Sequence, residues 1–297
     1  DEAVIPALQA VLTECVDDLR AKGKESSFSI ISEDFLLRNS KYMSHNALDS
    51  TDWPLYNFSI SNPPYYKLNK SSPQAKALQC IVSGQPNIYT LFMAVTSRML
   101  SPGGQMVFIT PRSFCSGLYY KKFRKWFLAN NQLLWIHSFE SRSRVFDGNE
   151  VLQENVITKA ARGVKQGTEV KISICKDKAL DDPREIRAHQ PDVIFKQNGD
   201  VFIRVPTSED DLKKLRLVDA WKHTLQELDL EISTGPVVDF RTEHLLSDVD
   251  AKNAVPLLWM HNLRDMRVKW PNGVRKKPSA IEDREETKNI LLPLKNY

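Results

Sequence analysis

The sequence predicts an α/β fold with a largely parallel sheet, and three observations carry the prediction. Short apolar, β-rich runs alternate with helical periodicity over residues 56–139. Prolines and a glycine pair punctuate this stretch, closing strands that cannot continue without a backbone N–H. Beyond about residue 205 the alternation stops, and the chain becomes rich in turns, aromatics and basic residues. The expected organisation is therefore a domain over residues 1–205 and a smaller second region over 206–297.

The first element is a helix over residues 7–22. Leu8, Val11, Leu12, Cys15, Val16 and Leu19 recur at helical spacing, and Gly23 stands where a C-cap would. Phe28-Ser29-Ile30-Ile31 follows as a short strand running into Glu33-Asp34-Phe35-Leu36-Leu37. Residues 56–61 form a second strand, and Asn62-Pro63-Pro64-Tyr65 ends it at once. A long helix covers 89–99, Pro102-Gly103-Gly104 breaks it, and 105–110 is a buried strand closed by Pro111. A helix over 119–130 precedes a strand over 133–139, with two further strands over 151–159 and 170–175. A charged amphipathic helix over 208–228 opens the second region.

Composition narrows the function classes without choosing one. A net charge of +4 and a pI near 8.7 permit a nucleic-acid partner without requiring one. Cys15, Cys80, Cys115 and Cys175 form no C-x-x-C pair and have no histidine at ligand spacing, which excludes an evident zinc site or disulfide frame. No apolar run reaches bilayer-crossing length and no signal-peptide pattern opens the chain, so a soluble cytoplasmic protein is expected. The chain starts Asp1-Glu2-Ala3 with no methionine, and both ends read as cut from something longer.

The chemistry-bearing motif is Asn62-Pro63-Pro64-Tyr65. Chance alone places this tetrapeptide in about one chain in a thousand of this length. Its plainer reading is a tight turn that ends a strand. Its chemical reading starts from an amino group on an aromatic base, a poor nucleophile because its lone pair is delocalised into the ring. Two fixed acceptors aimed at the two N–H bonds favour a pyramidal nitrogen with a localised lone pair. The Asn62 side-chain oxygen and the Pro63 carbonyl can be those acceptors, and adjacent prolines hold them stiffly. Tyr65 can stack on the base. A base inside a duplex is out of reach and must swing out, so a second aromatic is wanted on its other face. Phe146, in Arg144-Val145-Phe146-Asp147-Gly148, is the candidate, with core packing as its plainer role. A sulfonium methyl donor carries its own positive charge, so no metal is called for.

Taken together these residues resemble the adenine-specific methylases of type II restriction–modification systems, including those fused to a nuclease. Ser61-Asn62-Pro63-Pro64-Tyr65 resembles the catalytic motif, and Glu33-Asp34-Phe35-Leu36 the segment that contacts the cofactor's adenine. Asn87-Ile88-Tyr89 and Leu100-Ser101-Pro102-Gly103-Gly104 are similar to the helix and turn that follow. Val145-Phe146 with Val151-Leu152-Gln153-Glu154-Asn155-Val156-Ile157 is similar to the stretch bearing the second stacking aromatic. Ser233-Thr234-Gly235-Pro236-Val237-Val238-Asp239-Phe240-Arg241 and His261-Asn262-Leu263-Arg264-Asp265 resemble the start of the family's target-recognition domain.

The resemblance implies an S-adenosylmethionine-dependent, Rossmann-like sheet and methyl transfer to N6 of a flipped adenine in double-stranded DNA. Asn62 and Pro63 would polarise the amino group while Tyr65 and Phe146 sandwich the base. Asp34 would bond the cofactor's adenine amino group, with Phe35 and Pro64 on its ring. Lys67, Arg241 and Arg264 are candidate DNA contacts, each equally readable as solvated surface charge. The chain departs from the family at Asn57, where an acidic residue usually stands, and in having no G-x-G before Phe28. The family's glycine-rich cofactor loop and ribose-binding acid should lie upstream of Asp34, so the expectation is an incomplete sheet. A missing N-terminal segment of a parent protein goes with that expectation, while the resemblance to nuclease-fused members leaves a nuclease region of the parent open. Two other readings stay open. One is an amino-group methyltransferase acting on RNA or on protein glutamine, and the other a non-catalytic DNA-binding fragment.

Overall fold

A computed structural model describes residues 2–44, 54–81, 86–139, 154–175, 182–232, 234–248, 251–271 and 277–292. The chain forms two compact units, Asp1–Trp221 and Lys222–Tyr297.

In the first unit, helix α1 (Ile5–Ala21) ends where Gly23 takes a φ of +71°. The Lys24 N–H then bonds the Leu19 carbonyl, as a glycine C-cap allows. The apolar stripe of α1 contains no buried residue, and Leu8 and Val11 are exposed. Residues 28–31 form no strand, contrary to their composition. Among the described residues no strand lies alongside them, and an extended segment without a neighbour has no ladder to complete. Asp34 caps the short helix α2 (Phe35–Asn39), and α3 (Lys41–Ser44) follows.

Strand β1 (Tyr56–Ser61) stops where the prolines begin. Ser72 caps the single turn α4 (Pro73–Ala77), and α5 (Ile88–Met99) is buried over most of its length. The buried Arg162 guanidinium donates to the carbonyls of Arg98 and Leu100 at the end of α5, where a cation also meets the negative end of the helix dipole. Strand β2 (Leu100–Pro111) begins immediately. Pro102-Gly103-Gly104 therefore does not separate helix from strand but bulges inside β2. Gly103 has a φ of +78°, and a Cβ on Gly104 would sit 3.0 Å from the Tyr56 carbonyl oxygen. The β1–β2 register shifts there, with Tyr56 opposite Leu100 but Phe58 opposite Gln105.

Helix α6 (Lys121–Asn130) leads into β3 (Asn131–Phe139), followed by β4 (Asn155–Arg162), β5 (Glu169–Cys175) and β6 (Arg184–His189). These strands complete a six-stranded sheet in the order β1-β2-β4-β3-β5-β6. The α/β class expected from the alternation is present, but the sheet is mixed rather than largely parallel. β1 with β2 and β3 with β5 run parallel, while β4 lies antiparallel between β2 and β3. β6 also returns antiparallel, because the connection 176–183 is too short for a crossover. A core of Met93, Phe108, Phe114, Phe127 and Leu133 fills the space between α5, α6 and this sheet.

One turn of helix, α7 (Gln190–Val193), precedes a hairpin of β7 (Ile194–Gln197) and β8 (Asp200–Ile203). Asn198 and Gly199 turn it with positive φ at both positions. Helix α8 (Glu209–Asp219), capped by Ser208, is shorter than the 208–228 expected, and residues 226–228 form a separate 3-10 turn. Leu212 of α8 is part of the first unit's core, and Arg216 pairs with Asp192 at 2.6 Å. The boundary consequently falls at Trp221/Lys222 instead of near residue 205. The second unit holds β9 (Leu246–Ser247), β10 (Ala254–Pro256), β11 (Leu263–Arg264), β12 (Arg267–Val268) and β13 (Ala280–Glu282). Its strands form a small β10-β13-β9 sheet and a β11–β12 hairpin. No helix among the described residues is long and apolar enough to cross a membrane.

Candidate active site

Asn62 stands immediately past the carboxyl end of β1, with its side chain exposed, while Pro63 is buried and Pro64 exposed. This is the end of an α/β sheet at which ligands bind. The chain beyond is pinned to the start of α5. The Ile88 N–H bonds the Tyr66 carbonyl at 3.0 Å, and the Leu68 N–H bonds the Pro86 carbonyl at 2.8 Å. The half-buried Tyr65 folds back over the sheet. Its Oη lies 2.6 Å from Asn62 Oδ1 and 2.8 Å from the carbonyl oxygen of Ile109 on β2. Burial pushes the Tyr65 hydroxyl up to about 12, so it keeps its proton at neutral pH. The Tyr65 ring meets Tyr89 edge to face, with centroids 6.2 Å apart.

Asp34 is held by two bonds. One carboxylate oxygen accepts the Leu37 N–H at 2.8 Å as the cap of α2, and the other accepts the Gln74 amide at 2.8 Å. Phe35 stacks on Phe92 with centroids 4.8 Å apart and an interplanar angle of 18°. Tyr89 and Phe92 are three residues apart on α5, so they project from one helix face. Helix α5 thus supports the motif tyrosine through one ring and the aromatic beside Asp34 through the next. Tyr89 is fixed in turn, its hydroxyl 3.0 Å from Ser113 Oγ and its ring stacked on Tyr120.

Reasoning from the sequence missed Tyr89 and Phe92 as supports. Their signal is an aromatic pair at i and i+3 in a helix that follows the motif. It also missed Ile109, whose part depends on a contact between residues 44 apart.

Phe146 lies outside the described residues, as do Val145, residues 151–153 and Ser233. Lys67 is exposed and bridges Asn87 through the backbone. Arg241 is exposed with its guanidinium 5.5 Å from the Phe240 ring, and Arg264 is an exposed hairpin residue opposite Arg267. At the tip of that hairpin Asp265 and Met266 both have positive φ, and the Met266 side chain is fully exposed. Cavities of about 480 and 610 Å³ occur in the first unit, but neither is lined by Asn62 or Tyr65. One lies against α6 and the β7–β8 turn and the other against α8.

Comparison with known proteins gives the site a context. The chain is similar to the type II methyltransferase M.BsuBI of Bacillus subtilis, 33% identical over 307 residues, covering 100% of this chain and 58% of that protein. It is also similar to the type II methyltransferase M.PstI of Providencia stuartii, 35% identical over 242 residues, covering 81% of this chain and 47% of that protein. The chain therefore spans about half the length of these curated relatives. The solved M protein of the type I restriction enzyme EcoKI overlaps 62% of this chain and 55% of its own, at 13% identity and a TM-score of 0.37, too loose an overlap to carry an argument. The family described as Eco57I restriction-modification methylase matches residues 17–146. That span holds Asp34, the Asn-Pro-Pro-Tyr turn and helix α5, so it is the part of the chain bearing the candidate site that is similar to the Eco57I restriction-modification methylases.

Proposed function

We propose that these residues serve methyl transfer from S-adenosylmethionine to N6 of an adenine flipped out of double-stranded DNA, within a restriction–modification system. The observation that carries the reading is the stiff turn at the carboxyl end of β1, which holds Asn62 and Pro63 beside Tyr65. When bound, S-adenosylmethionine supplies an electrophilic methyl group on a sulfonium. Asn62 Oδ1 and the Pro63 carbonyl accept the two amino N–H groups, and the turn needs little reorganisation to do so. Tyr65 supports one face of the base and Phe146 the other. Lys67, Arg241 and Arg264 contact phosphates.

The residues present fit the adenine end of the donor. The exposed Asp34 carboxylate has acceptor capacity beyond its two bonds, and Phe35 with Pro64 offers apolar contact to a ring. The ribose and amino-acid ends have no comparable residues before Asp34, where no G-x-G occurs. These 297 residues accordingly carry the base side of the site more fully than the donor side.

Asn62→Ala in the full-length enzyme tests the reading. It should lower kcat on unmethylated DNA by at least about a hundredfold and leave DNA affinity nearly unchanged, because the lost acceptor acts mainly at the transition state. Turnover equal to wild type would rule out the proposed role. Labelled methyl appearing on cytosine instead of adenine would rule out the proposed target.

A further inference from the structure

We propose that the Tyr65 hydroxyl is a positioning group that sets the orientation of the Asn62 amide, using the Ile109 carbonyl as its anchor. This rests on the proposed role of Asn62 and adds to it. The argument is proton accounting. The phenol has a single proton, yet its oxygen lies 2.8 Å from the Ile109 carbonyl oxygen and 2.6 Å from the terminal Asn62 atom that faces it. A carbonyl only accepts. With Asn62 Oδ1 toward Tyr65, two acceptors would claim one proton, and one short oxygen–oxygen contact would have no hydrogen between the atoms.

The Ile109 carbonyl has the stronger claim on that proton. The last β1–β2 pair is Ser61 with Phe108, so Ile109 is one residue beyond the ladder, where the Tyr65 hydroxyl replaces a strand donor. The Asn62 contact is then satisfied only if the amide donates. A half-turn about the last side-chain bond exchanges oxygen and nitrogen without moving any other atom, and the hydrogen-bond network decides between the two. The assignment that satisfies every group is Asn62 Nδ2–H to Tyr65 Oη, and Tyr65 Oη–H to the Ile109 carbonyl.

The consequence reaches the chemistry. Binding Nδ2 to Tyr65 turns Asn62 Oδ1 away from it, toward the open side of an exposed residue. Only that orientation offers an acceptor to an incoming amino group; the reverse would present N–H to N–H. The high pKa of Tyr65 fits the role, because a hydroxyl that keeps its proton keeps its donation to Ile109 at every working pH. The edge contact with Tyr89 holds the ring in plane, so the chain of bonds is set before substrate arrives.

Tyr65→Phe keeps the ring and deletes the relay. In the full-length enzyme with unmethylated plasmid DNA, kcat should fall about five- to tenfold, the worth of one hydrogen bond, with KM for DNA within about twofold. Independently of turnover, an Asn-selectively ¹⁵N-labelled sample should show one Asn62 side-chain amide proton shifted downfield and slowed in exchange, and both features should vanish in Tyr65→Phe. Wild-type kcat in that variant overturns the proposal by making Tyr65 a stacking residue only, and so does a KM rise matching the kcat loss, which would place the hydroxyl in ground-state DNA binding. An Asn62 amide spectrum unchanged by the substitution overturns it too. Failure of the underlying reading shows elsewhere, as wild-type turnover in Asn62→Ala.

Discussion

Replacing Arg124 by alanine removes a cation whose side chain is 0% exposed, in the middle of the first unit. Its guanidinium bonds four groups, two of them 76 and 77 residues away along the chain. Nε donates to the Val201 carbonyl at 2.5 Å, and Nη1 to those of Phe114 and Gly117 at 3.1 and 2.6 Å. Nη2 pairs with the Asp200 carboxylate at 3.1 Å, itself only 10% exposed. Truncation leaves a buried carboxylate without its counter-charge and three carbonyls without donors. Deleting one partner of a buried pair costs about 3–5 kcal/mol, and relaxation around the gap keeps the unpaired carbonyls from adding in full. At about 2–4 °C per kcal/mol for a unit of this size, Tm should fall by about 6–20 °C. Thermal denaturation followed by circular dichroism reads this directly. Arg124→Met combined with Asp200→Leu removes both charges and should recover most of the loss. A Tm for Arg124→Ala within about 2 °C of wild type, or no recovery in the double variant, refutes the reasoning. The effect bears on the site because the segment that Arg124 holds includes Phe114, whose ring meets Tyr89 edge to face beneath Tyr65.

Met266→Gly should stabilise the second unit by about 1 kcal/mol in urea unfolding, since only glycine takes a φ of +58° without Cβ strain and the methionine side chain packs on nothing. A lower urea midpoint would mean that Met266 makes contacts its full exposure denies. Alanine at Lys67, Arg241 or Arg264 should each reduce the salt slope of DNA binding by about one, and binding that is flat between low and moderate salt argues against a phosphate-tracking surface. Calorimetry of the 297-residue chain with S-adenosylmethionine should give a dissociation constant around the millimolar range, because contacts of ~1 kcal/mol each to ribose and amino acid are unrepresented. Micromolar affinity would place those contacts on residues not yet recognised.

What the sequence made legible was local. Proline has no N–H, so the end of β1 at Ser61 could be read from Pro63 and Pro64, and Gly23 marked the end of α1 because the left-handed region favours glycine. The β7–β8 hairpin was equally local, with Asn198-Gly199 between Ile194-Phe195 and Val201-Phe202-Ile203, but no strand was assigned there. Residues 28–31 show the opposite error, since β-rich composition describes a willingness to pair and says nothing of whether a partner exists. Strand direction was illegible for the same reason. Nothing within Asn155–Arg162 states that β4 runs against both its neighbours, because direction is set by connections and by which edges remain open. Arg124 is the extreme case, its carboxylate partner lying 76 residues away.

The candidate site divides along the same line. Phe146 and the three basic residues aside, the residues that touch substrate or donor in the proposed reaction sit in two short runs, around Asp34 and over residues 62–65, where each residue type suggests its own chemistry. The residues that bring those runs into register do not. Tyr89 and Phe92 look like ordinary core aromatics, and their meaning comes from helical spacing, which sets one ring against Tyr65 and the next against Phe35. A rigid, buried helix is the right element for this task. Displacing α5 along its axis would disturb the Tyr65 and Phe35 contacts together, coupling the base side of the site to the donor side. The Arg162 guanidinium at the end of α5 opposes such a shift, because its bonds to the carbonyls of Arg98 and Leu100 tie the helix to β4 in the middle of the sheet.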